Sequence, residues 1–173
     1  SARDPELLDM IYGDPAEALS SSLRGMVCAT EGKKLIVADY SAIEARVLAW
    51  LAGQEDTLDV FRTHGLIYEA QAQKVYKLRS ISDVTAAQRS VGKVCILAFG
   101  YQGSENVFSH FAGIYGVDVS ATQALRLKNE WRAANTNIVD FWKGVEKAAI
   151  HAVVNPGEPS KFRAITFVKR GAF

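Results

Sequence analysis

An aspartate, Asp39, closes the apolar run Leu35 to Ala38, and an arginine and a lysine, Arg89 and Lys93, stand one helical turn apart in QRSVGKVCILAFGYQG. A carboxylate directly after Leu-Ile-Val-Ala is costly to bury unless a cation or hydrogen-bond donors compensate it. Magnesium is one such cation: it takes oxygen ligands and keeps waters and phosphates in its shell, so one or two carboxylates and a backbone carbonyl such as that of Tyr40 would suffice. Arg89, Lys93 and Leu97 recur in steps of four, each of which advances about 6 Å and rotates about 40° on a helix; Tyr101 extends the line past the helix end. A guanidinium fork and a point charge at that spacing match the spread of a triphosphate and could neutralise charge during phosphoryl transfer. Plainer alternatives stand beside these readings: Asp39 caps the following turn or pairs with Arg46, and Arg89 and Lys93 form a solvated basic face.

These residues need a strand, a sharp turn and two helices to position them. Leu35 to Ala38 reads as a buried strand, continuous and partly β-branched. Ser41 then has the character of an N-cap, with Glu44 three positions on as in a capping box, and Ile43, Val47, Leu48 and Leu51 form an apolar stripe. The opening LLDMIYG and PAEALSSSLRGMV suggest short helices or turns, and further helices are predicted over 57–64, 66–76, 85–99, 105–112, 120–134 and 137–153. Along the helix over 85–99, Val84, Ala87, Val91, Val94, Cys95 and Ala98 make a core-facing stripe that leaves Arg89 and Lys93 free. After the loop at Pro156 to Pro159, Phe162 to Lys169 alternates as one strand whose hairpin partner should follow, and the ending at Phe173 reads as a piece of something longer.

The 173 residues, 49% hydrophobic and 23% charged, suffice for one packed globular unit without repeats or low-complexity linkers. Net charge is only +1, so affinity for nucleic acid must come from uneven placement. Residues 1–20 carry a net charge of −4, whereas 69–93 holds Lys74, Lys77, Arg79, Arg89 and Lys93 against Glu69 and Asp83, and the end is basic after Glu158. Cys28 and Cys95 form no metal or disulfide pattern, which fits a reducing compartment, and His64, His110 and His151 are scattered. No apolar run approaches the roughly 20 residues that span a bilayer, and the acidic beginning is unlike a signal peptide. The expectation is a cytoplasmic protein, in a bacterial cell or phage-infected host.

DYSAIEARVLAWLAG resembles motif A of the family A DNA polymerases, the relatives of bacterial DNA polymerase I, and particularly the bacteriophage versions; RSVGKVCILAFGYQG resembles motif B on the fingers helix of the same family. Their order and spacing agree with the family, and LSSSLRGMVCATEGKKLIV is similar to its approach to motif A. The resemblance implies an α+β, predominantly helical fold in which fingers helices attach to a partial antiparallel palm sheet: partial palm over 1–53, fingers over 54–134, and a return helix with the start of a palm hairpin over 135–173. It implies that Asp39 and the main chain of Tyr40 serve Mg2+, that Glu44 closes the space beneath the sugar against a 2′-hydroxyl, and that Arg89 and Lys93 grip the incoming deoxynucleoside triphosphate. It further implies that Tyr101 stacks near the nascent pair and contacts Glu44, and that Leu97 holds a position that influences acceptance of sugars lacking the 3′-hydroxyl. Arg24 resembles an arginine near the primer-template DNA, and Lys74, Lys77, Arg79 and Arg163 are basic candidates for template phosphates.

Ala42 stands where the family usually has glutamine, Leu97 where many members have phenylalanine or tyrosine, Leu66 where an acid is common, and Tyr101-Gln102-Gly103 where Tyr-Gly closes motif B. Two-metal catalysis also needs a second carboxylate, with the ions roughly 3.5 to 4 Å apart. In the family it comes from motif C, a His-Asp-Glu hairpin, and no such string occurs here. The expectation is template-directed DNA synthesis by a larger polymerase, of which this fragment alone is inactive. The alternative is a non-catalytic nucleotide- or DNA-binding module that retains the fingers scaffold.

Overall fold

The computed structural model describes residues 9–11 and 13–171, so the acidic cluster around Asp4 and Glu6, part of the expected first helix and the end at Phe173 lie outside the described residues. The chain divides into two compact units, Ser1–Ser41 and Ala42–Phe173.

In the first unit, residues 9–11 are helical and α1 spans Pro15–Ser22, capped by Asp14, whose carboxylate accepts from the Ala16 amide at 2.8 Å. Residues 27–40 contain no helix or strand, and the apolar run lies in the open: Ile36 is 93% and Val37 91% exposed. This corrects the expected buried strand. A strand exists through its ladder, and no strand among the described residues pairs with 35–38. Asp39 is exposed as well, so its carboxylate keeps its hydration.

The second unit is a helical body with one small antiparallel sheet: α2 Ile43–Ala52, α3 Glu55–Thr63, α4 Ile67–Tyr76, a 3-10 turn Ile81–Asp83, α5 Ala86–Phe99, α6 Glu105–Ile114, α7 Ala121–Ala134, α8 Thr136–Val154, then β1 Ser160–Phe162 and β2 Ile165–Phe167. The fold is therefore α+β and predominantly helical. The N-cap of α2 is Ala42 rather than the expected Ser41. Ala42 sits at φ 50, in the left-handed region, and its own side chain makes no capping hydrogen bond. That turn is disfavoured for a residue with a Cβ, which is why the pattern pointed one residue earlier. True capping boxes open α5 (Thr85 with Gln88) and α7 (Ser120 with Gln123).

Helix α5 runs through the core. Val91, Val94, Cys95, Ala98 and Phe99 are buried, and burial pushes the Cys95 thiol well above its ordinary range, leaving it an inert small hydrophobe. Phe99 stacks on Phe108 of α6 at 5.1 Å between ring centres, and Trp131 of α7 stacks on Trp142 of α8 at 5.8 Å. Two glycines permit the closest packing. A Cβ on Gly92 would fall 2.1 Å from the Tyr68 carbonyl oxygen, bringing α4 and α5 together, and one on Gly144 would meet the Phe162 ring at 2.1 Å.

The expected single strand over 162–169 folds back on itself. β1 pairs with β2 in the register Phe162↔Ile165, and the chain turns at Arg163 with φ 51. The Arg163 guanidinium donates to the Leu51 carbonyl at 2.6 Å and stands 5.8 Å from the Phe141 ring centre. It binds an orphan carbonyl at the end of α2 while Asn137 binds that of Gly53 at 2.7 Å, so Arg163 ties hairpin to helix.

Candidate functional site

Thr85 fixes the start of α5 and thereby the phase of every side chain after it. Arg89 and Lys93 follow on successive turns, on the side away from the Val94 and Cys95 stripe. Arg89 is exposed, and its Nε donates to Glu69 Oε1 on α4 at 2.6 Å, with the guanidinium 5.2 Å from the centre of the Tyr68 ring. The Lys93 ammonium lies 4.3 Å from the centre of the Tyr115 ring, just beyond α6. Sequence reasoning counted Glu69 only as a stray acid in a basic stretch and missed Tyr68 and Tyr115. Gly92, lying between the two cations, was the available sign that another backbone comes close there.

Past the end of α5, Tyr101 is 69% exposed and stands beside Glu44 of α2. Partial burial raises the Tyr101 phenol above its ordinary value of 10.0, and the charge of Glu44 raises it further. Glu44, Leu97 and Tyr101 rim a cavity of about 290 Å3 that is lined below by Leu48, Trp131, Ile138 and Trp142 and so is largely apolar. Thr57 and Asn135 also line it, and Thr57 Oγ1, Trp131 Nε1 and Asn135 Oδ1 are buried without hydrogen-bond partners. The structure thus brings together Glu44, Leu97 and Tyr101, with Arg89 and Lys93 along the same helix. Asp39, Tyr40 and Arg24 belong to the first unit and are exposed there.

The basic residues nominated for template phosphates divide. Lys74 pairs with Asp56 and Lys77 with Glu130 at 2.9 Å, so both link one helix to another within the body. Partial burial pushes the Asp56 carboxyl upward, but hydrogen bonds from Lys74 and Gln54 and the Lys74 charge outweigh it and hold the group below its ordinary value. Arg79 is exposed beyond the end of α4. Among the described residues, no three His, Cys, Asp or Glu side chains gather into a metal site.

Comparison with known proteins decides the family. The family model for DNA polymerase family A matches residues 1–155. This chain belongs to family A. A DNA polymerase of Bacillus phage SP02 is 42% identical over 150 residues, covering 86% of this chain and 23% of the phage protein. DNA polymerase I of Pseudomonas aeruginosa is 38% identical over 93 residues, 54% of this chain and 10% of that protein, and DNA polymerase I of Lactococcus lactis subsp. lactis is 39% identical over 59 residues, 34% of this chain and 7% of that one. The family A chain therefore spans about a quarter of the phage relative's length and a tenth or less of the bacterial ones. No solved structure matches it.

Proposed function

We propose that this chain is the palm-and-fingers part of a polymerase that copies a DNA template by deoxynucleotidyl transfer to a primer 3′-hydroxyl. The observation that carries the reading is the α5 line: Arg89 and Lys93 on successive turns, ending at Tyr101 with Glu44 beside it on the same cavity. In this reading residues 1–53 contribute to the palm, 54–134 form the fingers and 135–173 return toward the palm.

Arg89 and Lys93 bind the triphosphate of the incoming deoxynucleotide and offset the charge that grows on the departing diphosphate. Glu44 and Tyr101 form a wall beneath the sugar. A 2′-hydroxyl would clash with that wall, and the two side chains brace each other against moving aside. Leu97 supplies the apolar part of the same wall. Arg24 and Arg79, with Lys74 and Lys77 after release from their acids, contact phosphates of primer-template DNA, which makes binding sensitive to salt.

Asp39 and the Tyr40 carbonyl offer two oxygens toward the octahedral shell that magnesium takes, which suits an ion shared with substrate phosphates and a carboxylate from outside these residues. Bound magnesium would supply charge stabilisation at the phosphates. Because no His-Asp-Glu string of motif C occurs in these residues, the chain alone is inactive in this reading. Primer extension by the full-length polymerase that contains this segment tests the assignment. Asp39→Ala and Lys93→Ala should each lower the rate by two orders of magnitude or more, at about 2.7 kcal/mol or more of lost transition-state stabilisation. Normal rates in both variants would overturn it.

A further inference from the structure

The two cations of α5 are held by different means. Arg89 faces a full negative charge, Glu69 Oε1 at 2.6 Å from its Nε, whereas Lys93 rests on the neutral Tyr115 ring and, among the described residues, pairs with no acid. The side chain of Glu69 is 19% exposed and that of Arg89 49%, so the acid is the fixed member of the pair and the arginine the one with room to move. The close approach at Gly92 fixes the acid in turn, because any Cβ there would push away the Tyr68 carbonyl next to it in the chain. Among the described residues the terminal nitrogens of Arg89 make no hydrogen bond, so Glu69 occupies one edge of the guanidinium and leaves the fork unoccupied.

We propose, resting on the reading that Arg89 and Lys93 grip a triphosphate, that Glu69 is a positioning residue that aims the Arg89 fork and tempers its hold on polyphosphate. An acid in hydrogen-bond contact with the guanidinium repels any anion that approaches the same group, so the grip is weaker than two bare cations would give. For a site that must release a pyrophosphate product after each transfer, a tempered grip favours turnover over retention. Lys93, without such an acid, makes the first contact with the anion, and Arg89 joins it only as the anion's charge competes with Glu69.

Titrating the 173-residue chain with inorganic tripolyphosphate in low-salt buffer, by calorimetry, tests this. Glu69→Gln keeps an acceptor for Nε but removes the charge, and it should tighten binding by about three-fold or more; Glu69→Asp, which keeps the charge, should stay within about two-fold of the parent. Adding Glu69→Gln to an Arg89→Ala chain should bring no gain, since the acid acts through Arg89. Unchanged or weaker binding by Glu69→Gln overturns the proposal, and so does a gain that persists without Arg89. If Arg89→Ala and Lys93→Ala bind tripolyphosphate as the parent does, the triphosphate reading itself falls and this inference with it. If those two weaken binding and Glu69→Gln does not strengthen it, only the role of Glu69 is lost.

Discussion

Tyr101 and Glu44 come from distant parts of the sequence and meet at the rim of the largely apolar cavity, where the carboxylate alters the phenol's chemistry. Burial and then the Glu44 charge hold the Tyr101 phenol above 10.0, so the neutral hydroxyl persists to higher pH than in an isolated tyrosine. Glu44→Gln removes the charge but not the burial. The Tyr101 pKa in that variant should fall and still remain above 10.0, as followed by NMR of ring-labelled tyrosine across an alkaline titration. The sign for stability follows from the upward shift: the folded chain holds this proton more tightly than the unfolded chain does. The contribution is fully present below the unfolded value near 10 and is lost as pH rises through the folded value. A Tyr101 pKa unmoved by Glu44→Gln would show that the Glu44 charge does not set the phenol's environment.

At the level of elements, α4 and α5 are held at a distance that a single methyl group would break. Glycine to alanine within a helix is normally worth up to about 1 kcal/mol in stability. At Gly92, however, the added carbon would lie 2.1 Å from the Tyr68 carbonyl oxygen and 3.0 Å from the Ala72 nitrogen, both backbone atoms that cannot swing aside. The clash should win, making Gly92→Ala less stable by about 1–3 kcal/mol in denaturant unfolding. Gly113→Ala on α6, with nothing within 4 Å, should be neutral or stabilising. The helices themselves were legible because their signals are local: Thr85 and Ser120 with glutamine three residues later, and apolar stripes at helical spacing. What the sequence hid depends on partners far along the chain. An apolar run such as Leu35 to Val37 becomes a strand only beside another strand, and the turn at Arg163 lacks the glycine or asparagine that usually marks a positive φ. The partner of Arg89 likewise lies on another helix, where periodicity within α5 could not reveal it.

For the molecule as a whole, the contrast between the two units has a direct consequence. Residues 42–171 enclose a continuous core from Ala52 to Phe141, and their loops are short and tied by side chains such as Asn137 and Arg163. Residues 27–40 are irregular and exposed throughout, and they contain the adjacent bases Lys33 and Lys34. A protease needs an extended segment of chain that can enter its cleft, and opening a helix costs free energy that an irregular exposed segment does not require. Limited trypsin treatment should therefore cut first after Lys33 or Lys34, although Lys77, Arg79 and Lys147 are also on the surface of the helical body. The large product should begin at Lys34 or Leu35, retain its helical circular dichroism and unfold cooperatively, since the core cluster from Ala52 to Phe141 lies within it. First cleavage within α4, α5 or α8 would mean that the helical body opens more readily than the exposed segment yields. The same product, lacking Asp39's upstream neighbours but keeping Arg89, Lys93 and Glu69, should bind tripolyphosphate as the whole chain does, because every side chain invoked in that grip belongs to the second unit.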